Sequence, residues 1–92
     1  MMGATKQWIV EIHIEEHDEQ RRTQAEARLR KDAQTDLRGV GTAQRNPHDQ
    51  EVPAIGDELA VARALGDLAR RLRETAAGDI ERVTHEPAHL TG

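Results

Sequence analysis

The period of the apolar residues changes once along this chain, and the change limits the folds open to it. In the runs between residues 7 and 45 apolar side chains recur at every second position; from residue 55 onward they recur at every third or fourth. A period of two belongs to a strand with one covered face, and a period near 3.6 to a helix with one covered stripe. Asn46-Pro47-His48-Asp49 stands at the change, and Asn-Pro and Asp are turn formers. The chain therefore reads as strands first and helix afterwards.

In residues 7–15, Trp8, Val10, Ile12 and Ile14 alternate with Ile9, Glu11, His13 and Glu15, which predicts a first strand burying the Trp8 side. Residues 16–22 are polar and make a turn. Thr23, Ala25, Ala27 and Leu29 form the thin apolar face of a second strand over 23–30. After a polar connection from Lys31 to Asp36, residues 37–45 make a third strand, whose Gly39 and Gly41 point to a bulge or a close backbone approach.

Val52-Pro53 keeps the chain extended up to a long helix that begins between Pro53 and Asp57. Ile55, Leu59, Ala62, Leu65, Ala69, Leu72 and Ala76 form its expected buried stripe, widened by Val61 and Leu68. Arg63–Asp67, Asp67–Arg71 and Arg70–Glu74 are spaced for ion pairs on its wet side. Gly78 fits a C-cap and Asp79 the N-cap of a second, short helix carrying Ile80 and Val83 before Pro87. The prediction is one α+β domain over 1–92: a three-stranded antiparallel meander, a long helix and a short C-terminal helix, β-β-β-α-α, with both helices on one face of the sheet. Residues 1–6 and 87–92 are expected to be loose termini.

Composition narrows the function. One Trp, no Phe and no Tyr leave the core to Leu, Ile and Val. So small a chain buries a modest share of its surface, which favours association with a partner. The net charge of −4, with both signs mixed, disfavours simple polyanion binding. The chain has no cysteine, so disulfides and thiol chemistry are excluded. No run reaches the roughly 20 apolar residues of a membrane span, and the first residues lack the apolar core of a signal peptide. A cytoplasmic location is expected.

No catalytic or metal-binding set emerges, so neither enzyme activity nor a cofactor, metal or small-molecule substrate is expected. His13-Ile14-Glu15-Glu16-His17 spells H-x-x-E-H, a zinc-protease pattern that needs both histidines on one helical turn. Here it falls in and just after a strand, where residues four apart are ~13 Å from each other. His48, His85 and His89 lie in turns or the tail, and Gly39-Val40-Gly41 lacks the rest of a nucleotide-binding fingerprint.

The densest basic group is Arg28, Arg30, Lys31 and Arg38, which a tight hairpin gathers on the outer face, with Arg45 as an extension. It reads either as a contact surface for RNA or as a solvated face with cross-strand pairs to Glu26 and Asp36. Two features oppose RNA. The one aromatic, Trp8, is expected to be buried and so unable to stack bases, and Asp57 and Glu58 would repel phosphates at the helix start.

The run from Arg45-Asn46-Pro47-His48-Asp49-Gln50-Glu51-Val52-Pro53 to Ala62-Arg63-Ala64-Leu65 resembles the signature of a small actinobacterial family. So do Glu15-Glu16-His17-Asp18-Glu19, Leu37-Arg38-Gly39-Val40-Gly41 and Asp79-Ile80-Glu81-Arg82-Val83-Thr84-His85. The family is of unknown biochemical function, and some of its members belong to the hypoxia and dormancy response. The resemblance implies the β-β-β-α-α fold and a homodimer. It implies a shape similar to ribosome hibernation-promoting factors and a fold similar to double-stranded-RNA-binding domains, although the binding residues of the latter are missing. Fold does not license function. The expectation is a non-enzymatic, stress-associated homodimer whose larger partner is the ribosome, its RNA, or another protein. The alternative is a protein-interaction or structural dimer without nucleic-acid contact.

Overall fold

The computed structural model describes residues 3–31, 36–48, 50 and 52–90. Three strands, β1 (Ile9–His17), β2 (Arg22–Arg30) and β3 (Asp36–Gln44), form an antiparallel sheet in the order β1-β2-β3. One helix, α1 (Pro53–Thr84), follows and packs on one face. β1 runs through Glu16 and His17, two residues beyond its apolar alternation, because these pair with Thr23 and Arg22. A single 3-10 turn, Asp18–Gln20, then closes the hairpin, with Arg21 in the left-handed region at φ 51. The Lys31-to-Asp36 connection lies largely outside the described residues.

Registers fix the two faces. Val10, Ile12 and Ile14 stand opposite Leu29, Ala27 and Ala25, which in turn oppose Leu37, Gly39 and Gly41. These rows face the helix. Ile9, Glu11, His13, Glu26, Arg28, Arg38 and Val40 are on the outer face.

The core is built from alanine. Ala25, Ala27, Leu29, Ala43, Ala60, Ala64 and Leu68 are the buried apolar residues, with Leu37, Val61 and Leu72 packed against them. Leu, Ile and Val thus carry less of it than composition suggests. The cause is the close approach of α1 to β3. A Cβ on Gly39 would fall 2.3 Å from the Ala64 carbonyl oxygen and the Leu68 nitrogen. One on Gly41 would fall 2.4 Å from the Ala60 oxygen and the Ala64 nitrogen. The two glycines make a groove in β3 without any bulge in the ladder, and the Ala60–Ala64–Leu68 ridge lies in it.

This corrects the expected stripe. Ile55, Leu59 and Leu65 remain 40–54% exposed, and Ala62 and Ala69 are exposed as well. The bulky apolar face of the helix is turned away from the sheet because only a small-residue face fits against the glycines. Trp8 is not buried either, at 49% exposure, since the helix covers β3 and β2 and hardly reaches β1.

The second short helix is likewise absent. α1 passes through Gly78 and Asp79 without a break, and among the described residues no glycine has positive φ. Gly78 costs a helix interior about 1 kcal/mol, which Ala76, Ala77 and the flanking good helix formers tolerate. Asp79 pairs with Arg82 inside the helix instead of capping a new one. The true C-cap is His85, left-handed at φ 61, whose N–H donates to the Glu81 carbonyl at 2.7 Å. Counting 32 residues, α1 is about 48 Å long against about 30 Å for a nine-residue strand, and residues 80–87 are exposed past the sheet's end.

Candidate functional site

The cations named above divide into two places. Arg28 and Arg38 are directly opposite on β2 and β3, flanked by Glu11 on β1. Like charges opposite each other repel, and carboxylates resolve the conflict. Arg28 donates to Asp36 in a fork, Nε to Oδ1 at 2.9 Å and Nη2 to Oδ2 at 2.6 Å. Arg38 lies 3.5 Å from Asp36 and 3.8 Å from Glu26. The hydrogen bonds from Arg28 hold the Asp36 carboxyl below its ordinary range, and Asp36 in turn raises the Arg28 guanidinium. Arg30 is exposed one row further on, opposite Ile9 and Asp36. Lys31 sets its ammonium 5.9 Å from the centre of the Trp8 ring, a cation–π contact of about 0.5–1 kcal/mol at an exposed site.

Arg45 is not part of this group. Its backbone N–H donates to the Arg21 carbonyl at 2.8 Å, which fixes it at the opposite end of the sheet. The outer face is thus a lattice of both signs rather than a basic stripe.

His13 and His17 both lie within β1, so the H-x-x-E-H run is all strand. His17 Nε2 is 3.2 Å from Gln24 Oε1 and 3.5 Å from Glu15. Among the described residues no three His, Cys, Asp or Glu gather as a metal site. Among the described residues no helix is long and apolar enough to cross a membrane. A cleft of about 310 Å³ opens where the β1–β2 turn meets the start of the helix. Val52, Ile55 and Leu59 form its apolar wall, and its rim mixes Glu16 and Asp18 with Arg21 and Arg22, so it favours neither anion nor cation.

What the structure does single out is the contrast between the sheet's edges. Along β3 the helix supplies the missing hydrogen-bond partners. Asp67 Oδ2 accepts from the Val40 N–H at 2.9 Å, and Arg63 Nη1 donates to the Thr42 carbonyl at 2.7 Å. Arg63 is thereby spent on the strand rather than in the expected pair with Asp67. Arg70 and Arg71 take that role, at 2.8 and 3.3 Å. The bond from Val40, then those from Arg70 and Arg71, lower the Asp67 carboxyl to about 2. Among the described residues β1 has a single neighbouring strand, β2, and no such cover on its other side. Its helix-side row of Val10, Ile12 and Ile14 is 39–43% exposed. Alternation made this row legible in the sequence; what it could not show is that the helix stops short of it.

Comparison with known proteins decides the kinship. A family model described as Rv2632c-like matches residues 6–89. The chain belongs to the Rv2632c-like family. It is 51% identical over 86 residues to the uncharacterised Rv2632c of Mycobacterium tuberculosis, covering 94% of this chain and 87% of that one. It is 51% identical over 83 residues to an uncharacterised protein of Mycobacterium bovis, covering 90% and 85%. The crystal structure of Rv2632c superposes with a TM-score of 0.83 at 47% identity, over 95% of this chain and all of that one. The Rv2632c-like family carries the fold, three strands and one long helix, into a group of mycobacterial proteins.

Proposed function

We propose that this protein is a non-enzymatic homodimer that works through protein–protein contact. One observation carries the reading: Val10, Ile12 and Ile14 on the helix-side row of β1 stay half-exposed, and Trp8, just before the strand, extends the row. Contiguous apolar surface of this kind on a small protein marks an interaction face. Ile55, Leu59 and Leu65, left outward on the helix, add to the apolar surface a partner could cover. Arg28 and Arg38 favour the same reading, because their guanidiniums are already held by Asp36 and Glu26 and any phosphate must displace a carboxylate.

Sedimentation equilibrium at tens of micromolar, well above a Kd of ~10⁻⁶ M, returns twice the mass of the 10.3 kDa chain if the reading holds. A monomer there defeats it.

Ribosome association during stress is the second reading. It draws on the family resemblance and on the exposed Arg30 beside Lys31 at one end of the sheet. Co-sedimentation with ribosomes that weakens in Arg28→Glu/Arg30→Glu and falls steeply with salt would support it. Wild-type protein that stays at the gradient top in extracts of stressed cells removes it.

A further inference from the structure

We infer that the cleft between the β1–β2 turn and the start of α1 binds a free α-amino acid with an aliphatic side chain. The assignment is independent of the homodimer reading.

Local features build the cleft. Arg21, left-handed at φ 51, closes the β1–β2 hairpin, and its carbonyl accepts the Arg45 N–H at 2.8 Å. That bond holds the chain leaving β3 against the hairpin. Gly56 brings the first turn of α1 close to β2, where a Cβ would fall 3.0 Å from Thr23 Oγ1. The space enclosed is about 310 Å³, at the small end of the roughly 300–1,000 Å³ usual for ligand clefts. Val52, Ile55 and Leu59 wall it, each 41–54% exposed. A hydrocarbon group laid on this aliphatic wall removes it from water.

The charges around the wall define the rest of the occupant. Glu16 and Arg45 already have partners, and His17 is hydrogen-bonded to Gln24. Among the described residues the side chains of Asp18, Arg21 and Arg22 form no hydrogen bond or ion pair. Arg22 stands out, because its Nε is shut off from water and has no acceptor. A buried donor without an acceptor is costly, more so on a charged group, and a carboxylate beside the same guanidinium offsets that cost. A simple anion meets that need and is repelled by Asp18. A simple cation meets Asp18 and is repelled by Arg21 and Arg22. A zwitterion answers both, with its carboxylate towards Arg22 and its ammonium towards Asp18. A rim of mixed sign beside an aliphatic wall therefore matches one small chemistry: two opposite charges on one carbon that also bears a hydrocarbon side chain. A peptide terminus offers only one of the two charges, so the free amino acid is the better fit.

L-leucine serves as the probe, titrated into the full chain to about 10 mM, ten times a Kd of about 1 mM. Heteronuclear NMR should show saturable shifts at the amides of Arg22, Thr23, Ile55 and Gly56. Isocaproate, which lacks the ammonium, and isopentylamine, which lacks the carboxylate, should each bind about tenfold or more weakly. Arg22→Gln and Asp18→Asn, verified as folded by circular dichroism, should each weaken L-leucine by a similar factor. Asp18→Asn should leave isocaproate binding undiminished, a result that general damage to the turn would not give. Absence of a saturable shift with L-leucine overturns the assignment. Isocaproate or isopentylamine binding as tightly as L-leucine overturns it too, since the cleft would then answer to one charge alone. Shifts confined to residues outside the cleft, or both variants binding L-leucine like wild type, overturn it equally.

Discussion

The two edge strands of this sheet have the same length and opposite treatment. β3 is pressed against the helix, floored by glycine, and hydrogen-bonded along its outer edge by Asp67 and Arg63. β1 carries the larger side chains, yet they stay half-exposed because the helix hardly reaches them. One row crosses both regimes: Ile12 on β1 pairs with Ala27 on β2, which pairs with Gly39 on β3. Side-chain size falls along the row as the helix comes nearer, and exposure falls with it. Burial here follows from how close the helix can come, and small residues allow the closest approach. The largest apolar residues are consequently the ones left over for a partner.

The harshest way to break the comparison is to change side-chain size at the two ends of that row. Gly39→Ala drives a Cβ into helix backbone that cannot swing aside, and about 3 kcal/mol or more of stability is lost. Removing carbons from Ile12, by contrast, should cost the dilute, dissociated chain less than about 1.5 kcal/mol, since the side chain is already half-exposed. Urea unfolding of Gly39→Ala and Ile12→Ala at low protein concentration measures the pair. Equal losses would mean that β1 is as well covered as β3.

A milder test opens the closed edge. Asp67→Asn keeps the size of the side chain and removes the charge that Val40, Arg70 and Arg71 stabilise. The Asp67 carboxyl titrates at about 2 when folded, below its ordinary 3.8. Its contribution to stability is therefore complete above the unfolded value and disappears as pH falls towards 2. Wild type should lose urea resistance between about pH 5 and about pH 2 more steeply than Asp67→Asn, and the residual slope of the variant should reflect Asp36, whose carboxyl is also lowered. Parallel curves would show that Asp67 does not tie the helix to the β3 edge.

The smallest effect separates the helix's two faces. A Cβ on Gly66 meets nothing within 4 Å. Gly66→Ala should stabilise the chain by about 1 kcal/mol through helix propensity, seen as a raised Tm. A lowered Tm at concentrations where the protein is dimeric would mean that a second copy approaches the outward face of α1 closely, and it would move the interface away from β1.

Much of this was legible beforehand. The alternation around Ile12, the paired glycines of β3, the turn at Asn46-Pro47 and a helix start between Pro53 and Asp57 each follow from local rules, and the structure has them within those bounds. The sequence points to a different helix face because a stripe of Ile and Leu is the usual sign of a core. The better signal was mutual smallness, Gly39 and Gly41 two apart on a strand with Ala60 and Ala64 four apart on a helix, but it appears only when both segments are considered together. Gly78 reads locally as a stop because a helix can end on glycine, and nothing in its neighbourhood says that it will not. Among the cations, the partnership of Arg28 and Arg38 with Asp36 and Glu26 could be anticipated from hairpin geometry. The turn of Lys31 onto Trp8, and the fixing of Arg45 at the far end by Arg21, depend on where the strands begin and end.

The helix that outruns its sheet gives the molecule two clocks. Amides of α1 from Ala60 to Leu68 are released only when the alanine–glycine contact with β3 comes apart, so their hydrogen exchange should track global unfolding. Those beyond Asp79 are exposed and held by the helix's own bonds, the His85 cap and a bond from the Ala88 N–H to Glu81 Oε1, so they exchange by fraying, on a much shorter timescale. A protease would meet the same division and trim the end of the chain back to where the sheet begins to support it.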